Sequence, residues 1–335
     1  MNNNSSLHGL TIFRFVAAFY VFIFHCHLRF PFDGPVWLTD FIGNGAIGMT
    51  FFFVLSGFVM AWSSQSGIRK DYIKARIARI YPAYLFMGLI TLPFIFQYDL
   101  KTILASLILF FSSMQSWIPQ SFSIWNFGGS WSVSTELFFY FSFPLLFPII
   151  LSRPLKSLLL SILISSLIIP IMLIFNEKNP FPSYYINPIY RLPEFISGAS
   201  LGVLLIKGKL PTFKFKKTLI LISILALILI SPKNNIAFIK NNIVTLPATL
   251  YLIYVLAVSE VKINTLTTPI IYLGKISYSF YLMQLPILML MDKYHPYLSG
   301  YNKFYIFIFA VIINSILASI SYHFVEEKFK VVRKG

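Results

Sequence analysis

Long apolar stretches alternate with short polar connections along the whole chain. Stretches approaching the ~20 residues that cross a bilayer as a helix fall at 9–28, 45–63, 80–98, 131–150, 155–175, 188–206, 218–231, 243–259, 270–291 and 303–323. The pattern predicts an all-α polytopic membrane protein of about ten transmembrane helices. One more apolar stretch, 102–118, ends in Ser112-Ser113-Met114-Gln115-Ser116-Trp117 and is expected to be re-entrant or interfacial. No connection is long enough to suggest a soluble domain, so 1–335 reads as one membrane domain.

The first apolar stretch, Leu10 to Leu28, is interrupted by Arg14 and His25. Eleven helical residues bring these two within about 20° of one face and about 16.5 Å apart along the axis. Ionisable groups facing lipid are costly and turn instead to a bundle interior or a wet cavity. A polar path inside the bundle is therefore expected, with Arg14 deep in it and His25 near one mouth. Met1 to His8 carries no Lys or Arg and no small-residue cleavage site follows, so the stretch is not expected to be a removable signal.

Charge sets the orientation. Only 11% of the residues are charged, against roughly 25% in soluble domains, yet the net charge is +16. The basic residues sit in short loops, which argues for topology and against nucleic acid. With both termini cytoplasmic, 17 of the 27 Lys and Arg face inward and 7 outward; Arg14, Arg191 and Lys275 lie within spans. Counting 102–118 as a full span would turn the Lys207–Lys217 cluster outward, against that bias. In this orientation His25, Glu136, Arg191 and Glu194 are expected at roughly one depth near the outer face.

Each polar group has a plain reading beside a chemical one. A neutral imidazole such as His25 can take a proton from a hydroxyl. Ser130-Trp131-Ser132-Val133-Ser134-Thr135-Glu136 opens a span. A capped helix start explains Trp131 and Ser132, but not a carboxylate below the interface. Glu136 is expected either to orient His25 or to contact the acceptor. Arg191-Leu192-Pro193-Glu194 is an i,i+3 pair that neutralises itself or binds substrate, lining the same cavity in either case. Arg76 and Arg79 stand just below a span, where they serve lipid headgroups or grip a phosphorylated ligand through their guanidinium forks. The single Cys26 excludes an intramolecular disulfide, and no Cys/His cluster suggests a metal.

Taken in order, these stretches resemble the acyltransferase-3 family of integral membrane acyltransferases. The Arg-x10-His element falls on Arg14 and His25, and Phe-Phe-x-x-Ser-Gly on Phe52 to Gly57. Arg-x-x-Arg-Ile-x-Pro-x-Tyr falls on Arg76 to Tyr84, and Ser-Trp-Ser-Leu-Ser-Val-Glu is similar to Ser130 to Glu136. Arg191 to Gly198 and Gly274 to Tyr281 also fit. One departure is Gln284, where the last motif usually has a His two residues before the Pro. Gln284 is expected to supply at most a hydrogen bond.

The resemblance implies an O-acyltransferase of a bacterial inner membrane, moving an acetyl group from cytoplasmic acetyl-CoA to a hydroxyl of an extracytoplasmic glycan such as O-antigen. The acceptor would be an undecaprenyl-linked or polymerised saccharide, and no bound cofactor is implied. Arg76 and Arg79 would take the CoA phosphates, and Arg14 the pantetheine arm or the thioester carbonyl. His25 would be the base, tuned by Glu136, with Arg191, Glu194, Ser132 and Trp131 toward the substrate. The competing reading is a transporter or flippase of lipid-linked saccharide, with His25, Glu136 and Glu194 as a proton relay.

Overall fold

The computed structural model describes residues 7–175, 183–210, 237–259 and 261–330. Its longer helices are α1 (His8–Arg29), α2 (Val36–Gly43), α3 (Gly48–Ser63), α4 (Tyr72–Thr91), α5 (Leu100–Ser112) and α6 (Phe127–Ser152). They continue as α7 (Pro154–Phe175), α8 (Pro188–Ile206), α9 (Ala237–Val258), α10 (Thr267–Lys293) and α11 (Lys303–Ser321). Among the described residues there is no strand. Helices satisfy every backbone amide within one segment, as a hydrocarbon solvent requires.

Among the described residues, six segments are long and apolar enough to cross a membrane: His8–Arg29, Val36–Ser63, Tyr72–Gln97, Phe127–Ser152, Ser183–Ile206 and Lys303–Phe329. The spans expected at 155–175, 243–259 and 270–291 fall on α7, α9 and α10. The span expected at 218–231 lies outside the described residues.

Helices α1 and α10 run parallel and fix the bundle's vertical scale. The backbone of Gly274 lies so close to α1 that a Cβ there would stand 2.0 Å from the Thr11 carbonyl oxygen. Eighteen residues further along both helices, Arg29 bonds Asp292 at 2.6 Å. Phe280 packs between them against Phe15, Phe19 and Phe22. In this register Arg14 is level with Ser277, and His25 with Leu288. The Arg29 end is called the upper end below.

A second close crossing joins α3 to α8. A Cβ on Gly57 would stand 2.0 Å from the Phe195 carbonyl oxygen, and one on Gly198 1.9 Å from that of Val54. Small residues at such a contact let two backbones meet, the usual means of helix association in lipid. The crossing holds the Phe52–Ser56 face of α3 toward the bundle's centre.

The stretch after α4 goes down and comes back. Helix α5, at 13 residues, is about 20 Å long and too short for a bilayer core of ~30 Å. It starts beside the upper end of α4. At its lower end the Phe110 carbonyl accepts a hydrogen bond from Tyr84 at 3.0 Å, about 10 Å below Thr91 on α4. The chain then turns at Ser113, with φ +53°, and returns: the Trp125 indole donates to the Thr91 carbonyl at 2.9 Å. The stretch 102–118, expected to be re-entrant or interfacial, thus runs down and back beside α4. Its tip is pinned by Gln115, which donates to the Ser130 carbonyl at 3.0 Å and to Tyr84 at 3.2 Å.

A candidate donor cavity lined by three arginines

Helices α1, α3, α4, α6 and α10 enclose a cavity of about 300 Å³ in the lower half of the bundle. Arg14 enters from α1, Ser56 from α3, and Arg76 and Arg79 from α4. Ser132, Glu136 and Tyr140, at i, i+4 and i+8, form one stripe of α6. Ser277, Tyr278 and Tyr281 complete the wall from α10.

Most of the lining polar groups are held in place. Tyr140 donates a short hydrogen bond to the Glu136 carboxylate, and the Ser56 hydroxyl approaches it at 3.5 Å. Tyr278 donates to the Ile80 carbonyl at 2.9 Å, tying α10 to α4 beside Arg79. One Arg76 nitrogen donates to Ser63 at 3.0 Å, and its guanidinium lies over the rings of Tyr72 and Tyr140 at 5.6 and 5.8 Å. Arg14 and Arg79 differ: among the described residues neither makes a hydrogen bond or an ion pair, though both lie within electrostatic reach of Glu136 and Glu326. Three guanidinium groups against one lining carboxylate, in a place of low dielectric, make a candidate anion site. Charge-assisted hydrogen bonds to phosphate or carboxylate are its natural contacts.

The cavity closes upward at a pair of hydroxyls. Ser132 and Tyr281 meet at 2.8 Å, and Tyr281 donates to the Gly129 carbonyl at 3.0 Å. In the α1–α10 register this layer is level with Ala18. His25, seven residues higher, stands about 10 Å above it and does not line the cavity. Phe22 and Gln284, both buried, occupy the levels between. Gln284 spends its amide hydrogen on the Tyr281 carbonyl of its own helix, at 2.7 Å. At the upper end, Arg29 donates to the His25 carbonyl at 3.2 Å and fastens that turn of α1 to Asp292.

Several placements differ from the sequence expectation. Glu136 was expected near His25 but sits with Arg14, Arg76 and Arg79. The reason is that α6 begins at Phe127, so Glu136 is nine residues, about 13.5 Å, down that helix. Arg76 and Arg79 do not lie below a span: α4 begins at Tyr72, which carries both into the bundle. Arg191 and Glu194 were expected to line the cavity. They are instead sealed behind its wall, 1% and 0% exposed and paired at 3.0 Å, with Thr50 bonded to each at 3.2 Å. Trp131 is likewise buried, against Phe53 and Tyr185. Tyr281 enters the sequence expectation only as the end of the Gly274–Tyr281 stretch and Tyr140 not at all, although its i+4 spacing from Glu136 is a legible signal. No group of three or more His, Cys, Asp or Glu suited to a metal occurs among the described residues.

Comparison with known proteins agrees with the sequence resemblance. The family model described as Acyltransferase domain, of the acyltransferase-3 type, matches residues 7–323. The O-acetyltransferase OatA of Staphylococcus aureus is 25% identical over 98% of this chain and 58% of its own length. The putative peptidoglycan O-acetyltransferase YrhL of Bacillus subtilis is 26% identical over 87% of this chain and 51% of its own. The acyltransferase MdmB of Streptomyces mycarofaciens is 35% identical over 45% of this chain and 42% of its own. The chain spans about half the length of these curated relatives. No solved structure matches it.

Proposed function

This chain belongs to the acyltransferase-3 family, and from that premise we propose that it carries an acetyl group from acetyl-CoA at the inner face of a bacterial plasma membrane to a glycan hydroxyl outside. The observation that carries this reading is the cavity with Arg14 and Arg79, unpaired among the described residues, and Arg76 beside them. The lower end of the bundle is taken as cytoplasmic, in line with the excess of basic residues there.

In this reading the CoA phosphates rest on Arg76 and Arg79, and the pantetheine arm rises past Arg14 and Glu136. The Ser132–Tyr281 contact must part to let the thioester reach His25. His25 takes the proton of the acceptor hydroxyl, and that oxygen attacks the thioester carbonyl. The carbon–sulfur bond breaks, and the departing sulfur recovers the proton from the imidazolium. Glu136 acts on the donor side, through its hydrogen bonds within the cavity. The acceptor class, O-antigen or another surface saccharide such as peptidoglycan, is named by analogy with YrhL and by the resemblance.

Purified protein in nanodiscs, given labelled acetyl-CoA with lipopolysaccharide or with peptidoglycan, tests the reading. Label is expected on one glycan. Retention of full transfer by His25→Ala removes the base role, and movement of glycan without label would make the protein a transporter.

A further inference from the structure

A second carboxylate stands behind the arginines. Glu326 lies beyond the residues matched by the family model and is not among the cavity-lining residues. It is 8% exposed. It ends a π-helical turn, Tyr322–Glu326, that packs against α4. Such turns insert one residue into a helix and mark functional sites more often than chance. Ser279 of α10 donates to the Glu326 carboxylate, and the Ser321 hydroxyl lies 2.9 Å from that of Ser279. Arg14, Arg79 and the lining residue Tyr278 all lie within electrostatic reach of Glu326. An ionised carboxylate is costly to bury without compensation, and the hydroxyl chain fixes its position.

We infer that Glu326 is a positioning residue of the donor site, a fixed counter-charge that acts through Arg14 and Arg79 and weakens their hold on a polyphosphorylated ligand. This rests on the donor reading above. The thioester donor and its thiol product carry the same phosphates, so phosphate contacts cannot distinguish them. Arginines balanced by Glu136 alone would keep the spent carrier. Glu326 adds negative charge from outside the cavity without competing for the ligand's contacts.

The test is direct binding of CoA to the purified full chain in nanodiscs. Glu326→Gln, which keeps a hydrogen-bond acceptor for Ser279, is expected to bind CoA about fivefold tighter, with stronger inhibition by CoA during turnover. Glu326→Asp, which keeps the charge, is expected to stay near wild type. Equal or weaker CoA binding by a folded Glu326→Gln overturns the inference, as does tighter binding by Glu326→Asp. Should Glu326→Gln fail to fold, the neutral and smaller Glu326→Ser carries the same expectation. Failure of both makes the carboxylate a folding element and also overturns it. Wild type that binds no CoA fails the donor reading itself, a result distinct from all of these.

Discussion

Two arginine environments in this bundle look alike in sequence and differ in structure. Arg191 is 1% exposed, bonded to Glu194 at 3.0 Å, and lies over the rings of Phe53 and Tyr185 at 5.1 and 5.5 Å. Arg14 and Arg79 have no ion pair among the described residues and open onto a cavity of about 300 Å³. A buried charge with its counter-charge in contact is complete. A buried charge without one needs an outside partner, because leaving it unpaired in low dielectric is unfavourable. The contrast points to the candidate site better than the mere presence of arginines within apolar stretches.

The largest effect should come from breaking the complete pair. Arg191→Ala strands the Glu194 carboxylate and should cost about 3–5 kcal/mol of stability, whereas replacing both partners by Met and Leu should recover most of it. Thermal unfolding in detergent checks both. An Arg191→Ala protein of unchanged stability that has lost transfer would place Arg191 in the site and dissolve the contrast. Arg79→Ala and Arg14→Ala should do the reverse: little change in unfolding, but a loss of about 1.5–3 kcal/mol in CoA binding, roughly ten- to a hundredfold. Arg79→Lys keeps the charge but loses the planar fork, and should fall between, at about 1 kcal/mol. Smallest is Tyr281→Phe, which removes the hydroxyl closing the cavity's top. About 1 kcal/mol of stability should be lost, with CoA affinity held, since the arginines lie at the other end.

Periodicity and charge made much of this legible. Arg14 and His25 share one face of α1 because 11 residues nearly complete three turns. That 102–118 is not a full span was expected from the parity of basic loops, since a full span would set Lys207 and Lys209 against the positive-inside bias. Vertical offset was not legible. An apolar run states that a helix crosses but not how far it is slid against its neighbours. That offset is set by contacts such as Gly274 on Thr11 and Arg29 on Asp292. Hence Glu136 was assigned His25's depth and lies instead with the arginines. The same limit hid the difference between Arg191 and Arg79. Whether a guanidinium meets a carboxylate or a void depends on α3, whose Thr50 bonds both Arg191 and Glu194.

The most direct measurement compares CoA binding to three purified proteins in nanodiscs: wild type, the Arg14→Ala/Arg79→Ala double variant, and the Arg191→Met/Glu194→Leu double variant. The account predicts binding by wild type and by the Arg191/Glu194 variant with similar affinity, and loss of binding when Arg14 and Arg79 are removed. Wild-type affinity in a folded Arg14→Ala/Arg79→Ala protein would contradict it.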